Sequence, residues 1–594
     1  MLMDNGTLHS KPTDLAKIMN SFFVNKVRNL RSNLPHSDLN PLDQVEKLMQ
    51  RRTCSFELRP THPDEISKII SNLRSSKSAG IDEIDSYIIK LAKDDLIPAI
   101  THIVNLSIRH KIFPNQWKLA KVIPLHKKEE PVLPKNYRPV ALLPITSKIL
   151  ERAVFVQVVN YFESNQLIHP GHHGFRTMHS TSTALLQMFD TWLDALENDE
   201  ISAVIMLDLS AAFDVVDHHI LLQKLSLYGL DSTTVRWFES YLSGRSQRVF
   251  VEGSLSEPLD LEAGVPQGSV LGPLLYILFT NDLPETVHDH LGDVNSFYNV
   301  HCNSCGGVCS FADDSTLTIS RTDPAELDNL VDKKYKDIAR YMNANKLVLN
   351  SDKTHLLVMA TPYQHSQHQN FGITLNTGSE IIEPIYTEKL LGGHITNDFK
   401  FNEHLKENEQ SVFRSLTSRV NALSKISKVS SFKTRKMIAN GIVMSKLVYL
   451  IQWWGGCSSY LIDFLQILQN RAARLVTRCG WFTTTGQMLL QCGWLSVRQL
   501  ILYHSLILVF KMKLNAKPEY FKEHFSSEFP YRTRLATGMG IRRGDNSRHE
   551  VTQASFVPRS SASWNVLPVA IRNLKTEKEF KIGLKQWIRE HVPI

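Results

Sequence analysis

Cysteine is scarce in this chain, with 7 among 594 residues, and those seven are scattered. That count excludes a secreted scaffold stapled by disulfides, and a reducing compartment is expected. Long hydrophobic runs are missing as well. The stretches Val270 to Thr280 and Leu500 to Phe510 are interrupted or far shorter than the roughly 20 residues that cross a membrane. The N-terminal MLMDNGTLHSKPTDLAK lacks the apolar core of a signal peptide. A soluble intracellular protein with no membrane partner is therefore the expectation. No internal repeat or low-complexity tract is present. A composition of 42% hydrophobic and 21% charged residues excludes collagen-like and wholly disordered chains, and it suits several domains of about 100–200 residues each. Acidic residues are the last scarcity: between 410 and 518, Asp463 is the only one.

Basic residues fill that space. Residues 401–594 hold 29 Lys and Arg against 12 Asp and Glu, a net charge of +17, whereas residues 1–400 carry −9 of the overall +8. A basic C-terminal third suits a polyanionic partner, and an acidic-leaning body leaves carboxylates for chemistry that needs negative charge.

Apolar spacing in LAKIMNSFFVNKV and DEISKIISNL predicts helices over the first hundred or so residues, broken by a Ser/Gly loop at Ser75 to Ile84. From Asn115 short apolar runs alternate with prolines, as strands and turns do, and helices are expected near Ser147 to Asn165 and Ser180 to Asn198. Ala203 to Leu207 are five consecutive apolar residues followed by Asp208. Such a run suits a strand covered on both faces, with the carboxylate emerging at its end. After about residue 400 the pattern is helical and basic.

Two acidic motifs stand out. Taken alone, Asp208 in LDLSAAFD (Leu207 to Asp214) fits a cap or turn residue as well as a catalytic one. In CSFADDSTLTIS (Cys309 to Ser320), the alternation after the acids predicts a β-hairpin with Asp313 and Asp314 at its turn. Carboxylates from two strand ends in one sheet would repel each other unless divalent cations lay between them, and Mg²⁺ is the hard ion that combines carboxylates with substrate phosphates. Two such ions support in-line phosphoryl transfer. Between the acidic motifs lies AGVPQGSVLGP (Ala263 to Pro273), whose glycines and prolines suit a loop with close backbone approach to a flat ligand and whose Gln267 offers an amide.

LDLSAAFD, GVPQGSVLGP and FADD, in that order, resemble the central palm motifs of reverse transcriptases of non-long-terminal-repeat, LINE-type retrotransposons, particularly the jockey-like group. Flanking segments resemble the same family: SAGIDEI, WKLAKVIPLHKK, NYRPVALLP, GFRTMHST, LVLNSDKT and LLGGHI, then LQNRAARLVTR, GWLSVRQL and SASWNVLPVAIR towards the C-terminus. The resemblance covers nearly everything from about residue 15 onward. It implies that Asp208 and Asp313 hold two Mg²⁺ ions, with Mn²⁺ as the substitute, that Asp314 supports them, and that the Leu209 carbonyl completes one coordination shell. Phe213 falls at the family's aromatic steric gate, which favours deoxynucleotides; ordinary core packing is the alternative. Gln267 and Gly268 would line the nascent base pair, Arg138 and Lys121 would meet the triphosphate, and Lys353 would serve as general acid for pyrophosphate. For Arg138 and Lys121 the alternative is that they are plain surface cations.

In FLQILQNRAARLVTR, Leu465, Leu468, Ala472, Leu475 and Val476 share a helical face, and Arg471, Arg474 and Arg478 form a separate stripe. With acids nearly absent around it, that stripe is expected to hold template and primer through phosphates rather than to be merely solvated. His301, Cys302, Cys305 and Cys309 include a C-x2-C spacing that raises a structural zinc site against a simple Gly306-Gly307 turn.

The expected fold is α+β, a right-hand polymerase: a helical N-terminal extension (1–104), fingers and palm (105–396), and a basic helical thumb and C-terminal region (397–594). The expected partners are an RNA template, a DNA primer or target, and deoxynucleoside triphosphates, in the nucleus and cytoplasm. Full-length relatives carry an endonuclease that nicks the target, and about 100 residues before the fingers are too few for one. The rival readings are a silent remnant that only binds RNA and a two-metal nuclease.

Overall fold

The computed structural model describes Met1 to Ile594 except Asn5, His36, Arg51, Lys77, Lys128 and residues 288–305, 368–369 and 526–546. Helix and strand are mixed. In chain order the principal elements are α1 (Pro12–Ser32), β1 (Leu119–His126), β2 (Tyr137–Leu142), α2 (Ile145–Ser164), α3 (Thr181–Glu197), β3 (Ile201–Leu207), β4 (Arg245–Val251), β5 (Ser254–Leu255), β6 (Leu259–Leu261), α4 (Gly272–Thr280), β7 (Gly307–Phe311), β8 (Asp314–Arg321), β9 (His355–Met359), α5 (Val412–Ser427), α6 (Phe432–Ala439), α7 (Ser459–Thr477), α8 (Thr485–Cys492), α9 (Val497–Asn515) and α10 (Glu577–His591). The chain forms two compact units that interleave in sequence. One comprises Met1–Phe175, Leu207–Asn299 and Lys334–Lys353, the other Arg176–Met206, Val300–Lys333 and Thr354–Ile594.

The first unit is built on a five-stranded sheet ordered β2-β1-β4-β5, with β6 also paired to β4. β1 is antiparallel to β2 and parallel to β4. α1 begins with Pro12 in its first turn, where proline's missing N–H costs nothing. Its Leu15, Met19 and Phe23 recur at helical spacing and pack on Ala120, Val122, Leu143 and Val249. Asn20, buried in the same face, donates to Ser256 Oγ at 2.9 Å and accepts from Gln247 Nε2 at 2.9 Å. The N-terminal helix is thus part of this unit's core.

The second unit contains a four-stranded sheet ordered β9-β3-β8-β7. All seven residues of β3 are buried, as expected for the apolar run before Asp208. β7 and β8 form an antiparallel hairpin with Phe311 opposite Asp314. α3 packs against this region, and its fully buried Trp192 donates to Thr318 Oγ1 on β8 at 3.0 Å. The remainder is helical. Leu416, Val420 and Leu423 of α5 share a core with Leu465, Leu468, Ala472 and Val476 of α7, and Phe580 of α10 stacks on Phe510 of α9 at 4.1 Å. Among the described residues no single helix is long and apolar enough to cross a membrane.

Candidate active site

In the first unit, Asp208 follows directly on the last residue of β3. Its neighbour Leu209 bridges to Leu349. The bridge is closed by Ser210 N–H donating to the Val348 carbonyl at 2.9 Å and Asn350 N–H donating to the Asp208 carbonyl at 3.0 Å. In this pattern Leu209's own carbonyl faces away from the Leu349 segment. The Asp208 carboxylate accepts from Lys353 Nζ at 3.0 Å and from Asn350 Nδ2 at 3.2 Å. Two expected site residues, Asp208 and Lys353, are therefore in direct contact. Asn350 was not anticipated, although it stands within the LVLNSDKT segment. The pair is half-exposed, so it orients the carboxylate more than it stabilises the fold.

The chain then turns through Ala211, held at φ 53°, and presents Phe213. That ring is half-buried, tilted against Tyr276 at 4.5 Å and edge-on to Phe175 at 6.4 Å. The Gly/Pro loop before α4 is strapped onto the same turn. Val265 N–H donates to the Phe213 carbonyl at 2.8 Å, Gly264 N–H to the Val216 carbonyl at 2.9 Å, and Gln267 Nε2 to Asp214 Oδ1 at 2.6 Å. The loop's far end is fixed by Glu151 of α2, a fully buried carboxylate that accepts from Val270 N–H at 2.7 Å and Leu271 N–H at 3.2 Å. The glycines also have a reason within the chain itself. Gly264 and Gly268 both hold φ near +87°, and a Cβ on either would lie 2.5 Å from a backbone oxygen, that of Asp214 or Ala141. They permit close approach to the chain's own backbone.

Asp214 and Glu151, like Asn350, are residues that sequence reasoning missed. Burial pushes the Asp214 carboxyl up to about 6, against the opposing hydrogen bond from Gln267. Asp214 and Gln267 also line a cavity of about 260 Å³, together with Phe23 and Arg31 of α1, Lys118 and Arg245.

Lys121 lies on β1 and Arg138 on β2, where the register sets Lys121 opposite Leu142 and Leu125 opposite Arg138. Directly opposed residues share a face, so both cations stand on one side of the sheet, separated by four positions, or about 13 Å along the strand. Arg138 is exposed, and the Lys121 ammonium sits 4.3 Å from the centre of the Phe250 ring.

In the second unit, Ala312 and Asp313 form the two-residue turn of the β7–β8 hairpin, and Asp314 is the first residue of β8. Ala312 occupies the left-handed region at φ 59°, a conformation that non-glycine residues adopt at some cost. Both aspartates are exposed. Asp208, Asp313, Asp314 and the Leu209 carbonyl offer oxygen alone, the donor chemistry of Mg²⁺ or Mn²⁺. Among the described residues no three His, Cys, Asp or Glu side chains converge as a metal cluster.

The three arginines do not form one helical stripe. α7 ends at Thr477, and Arg478 caps it at φ 57°, turned off the helix so that its guanidinium donates to the Ser427 carbonyl. Arg471 donates to Asn421 Oδ1 at 3.0 Å, and Arg474 lies over Trp481. Of the four residues considered for zinc, His301, Cys302 and Cys305 lie outside the described residues. Cys309 is buried in β7, and that burial pushes its thiol up to about 12.

Residues 125–375 match the family model described as reverse transcriptase (RNA-dependent DNA polymerase). The chain is similar to the probable RNA-directed DNA polymerase from transposon X-element of Drosophila melanogaster, 30% identical over 458 residues that span 74% of this chain and 47% of that protein. It is similar to the RNA-directed DNA polymerase from mobile element jockey of Drosophila melanogaster at 29% over 447 residues, with 74% and 47% covered. The probable RNA-directed DNA polymerase from transposon BS of the same species is 29% identical over 458 residues, again with 74% and 47% covered. The chain thus spans about half the length of the curated relatives it matches.

Proposed function

Since residues 125–375 match the reverse transcriptase family, and the chain is homologous over 74% of its length to the polymerases of jockey-like non-long-terminal-repeat retrotransposons, we propose that it adds deoxynucleotides to a primer 3′-hydroxyl on an RNA template. The observation that carries this reading is the strapped turn: the loop containing Gln267 and Gly268 is pinned to the Phe213 carbonyl and the Asp214 carboxylate inside the region that matches the family. A nuclease has no need of a fixed amide beside a half-exposed aromatic ring. Intact Asp208, Asp313 and Asp314 also weigh against a silent remnant.

Members of the family generally use divalent metal ions. When bound, two Mg²⁺ ions would lower the pKa of the attacking hydroxyl and neutralise charge on the leaving pyrophosphate. Asp208, Asp313, Asp314 and the Leu209 carbonyl are the proposed ligands. Lys353, at 3.0 Å from Asp208, would hold that carboxylate's orientation and give a proton to the leaving oxygen. Phe213 would exclude a 2′-hydroxyl, Gln267 and Gly268 would face the incoming nucleotide, and Lys121 and Arg138 would meet its phosphates. In this reading residues 105–396 are fingers and palm, 397–594 the thumb and C-terminal region, and 1–104 a helical extension, acting on RNA and DNA in the nucleus and cytoplasm.

Chelation tests the metal part. Primer extension on an RNA template should stop in EDTA and return with added Mg²⁺; synthesis that persists in excess chelator would rule out the proposed ligand roles.

A further inference from the structure

The turn between α7 and α8 carries a feature that the polymerase reading leaves unused. α7 is closed by Arg478 in the left-handed conformation, and α8 opens on a capping box in which Thr484 Oγ1 accepts from Gln487 N–H and Gln487 Oε1 accepts from Thr484 N–H. Between these caps Thr483 N–H donates to the Gly480 carbonyl at 3.2 Å. This closes a turn whose two central residues are Trp481 and Phe482. Turn centres favour Gly, Pro, Asn, Asp or Ser for backbone reasons, and none of those reasons calls for two aromatic rings. Trp481 is 79% exposed and Phe482 98%. A ring of this size usually buries 150–250 Å² against a partner.

The Trp481 ring is held in place from one side. The Arg474 guanidinium lies 5.0 Å from its centroid and also donates to the Trp481 carbonyl at 3.4 Å. A cation on one face of the indole fixes the ring. The surroundings are positive. Arg435 of α6 is close enough to Arg478 that, after burial, the second guanidinium is what lowers its pKa. The one acid between 410 and 518, Asp463, is already paired with Arg498 at 2.9 Å. A partner for this turn must therefore be anionic and must also present flat apolar faces. Nucleic-acid strands with unpaired bases combine both properties, whereas duplex bases are already stacked.

We infer that the Gly480–Thr483 turn is a stacking site for unpaired bases of a nucleic-acid strand, with Trp481 and Phe482 supplying ring faces and Arg471 and Arg478 supplying phosphate contacts. The inference rests on the polymerase reading for the kind of partner alone, and its test measures binding rather than synthesis.

The test uses the full chain and fluorescence anisotropy over a salt series, with four probes of equal length: an unstructured RNA, the same sequence as DNA, a strand with abasic central positions, and a blunt duplex. W481A/F482A should bind the base-containing single strand about ten-fold or more weakly, with an unchanged slope of log affinity against log salt, because phosphate contacts remain. Arg471→Ala should instead reduce that slope by about one. W481F/F482Y should bind like wild type, and wild type should bind the abasic strand as weakly as W481A/F482A does. Phe482→Ala alone, at a side chain almost wholly in solvent, should lose part of the affinity without any effect on packing. A larger loss on RNA assigns the turn to the template, and a larger loss on DNA assigns it to the primer or target strand. Unchanged affinity of W481A/F482A and Phe482→Ala, or an equal loss on the abasic strand, would overturn the inference. A chain that stacks bases but incorporates no deoxynucleotide would keep this site and sink the polymerase reading instead.

Discussion

Asp214 is positioned by the chain and in turn positions Gln267. Its carboxylate is the acceptor for the Gln267 amide at 2.6 Å, and a hydrogen bond to a charged group is worth about 1.5–3 kcal/mol. Asp214→Ala should therefore release Gln267 and lower kcat/KM for deoxynucleotides by about 10- to 100-fold, chiefly through KM, whereas Asp214→Asn, which keeps an acceptor oxygen, should recover much of the loss. Steady-state kinetics with varied nucleotide separates the two. Equal kinetics for Asp214→Ala and wild type would remove Asp214 from the site. Phe213→Ala should raise ribonucleotide incorporation relative to deoxynucleotide by about ten-fold or more, read as the ratio of the two kcat/KM values. These contacts were not legible in the sequence. Gln267 and Asp214 are 53 positions apart, and Val270 and Glu151 are 119 apart, so neither spacing nor periodicity links them. Arg478 was misread for a local reason, since α7 ends in a left-handed arginine without the glycine that usually signals such a cap.

Among the elements, the ones with strong periodicity were legible. β3 and the β7–β8 hairpin stand where the apolar run and the alternation placed them, because burial on both faces and period-two patterning leave little choice. α1 was legible as a helix but not as a core element, since its partner strands lie roughly a hundred or more residues away. That packing makes α1 sensitive to substitution. Phe23, 7% exposed against Val122 and Val249, should cost about 3–5 kcal/mol when changed to Ala, seen as a lower urea midpoint for loss of helical signal. A cost below about 1 kcal/mol would mean that α1 is a detachable extension.

Over the whole molecule, charge separates more finely than the overall +8 suggests, and so does its pH dependence. Burial raises Asp190 and Asp214 to about 6; burial, with the Asp190 charge, raises Asp194 to about 6; burial, with the Asp282 charge, raises Glu285 to about 7. Unfolded carboxyls titrate near 4, so these four groups favour the folded state fully below that pH. Their contribution fades as pH rises through about 6 to 7. Asp217 acts in the opposite sense: Lys346 and Arg31 hold it at about 2, so its contribution is present above about 4 and fades as pH falls towards 2. Buried histidines oppose that fading: burial lowers His179 and His404 to about 3 and His504 to about 4, so their contribution grows as pH rises towards 6.5. The test is therefore a difference: between pH 5 and 7.5 the urea midpoint of Asp190→Asn should gain on that of wild type as pH rises. Parallel pH profiles for the two proteins would contradict the assignment.

The central claim is RNA-templated synthesis of DNA at a carboxylate site, and primer extension tests it most directly. On an unstructured RNA template with a DNA primer and Mg²⁺, wild type should extend the primer with deoxynucleotides. Asp313→Asn, an isosteric change at an exposed turn residue, should fold normally and lose extension by at least about a thousand-fold. Equal extension by the two proteins, or none by wild type, would contradict the account.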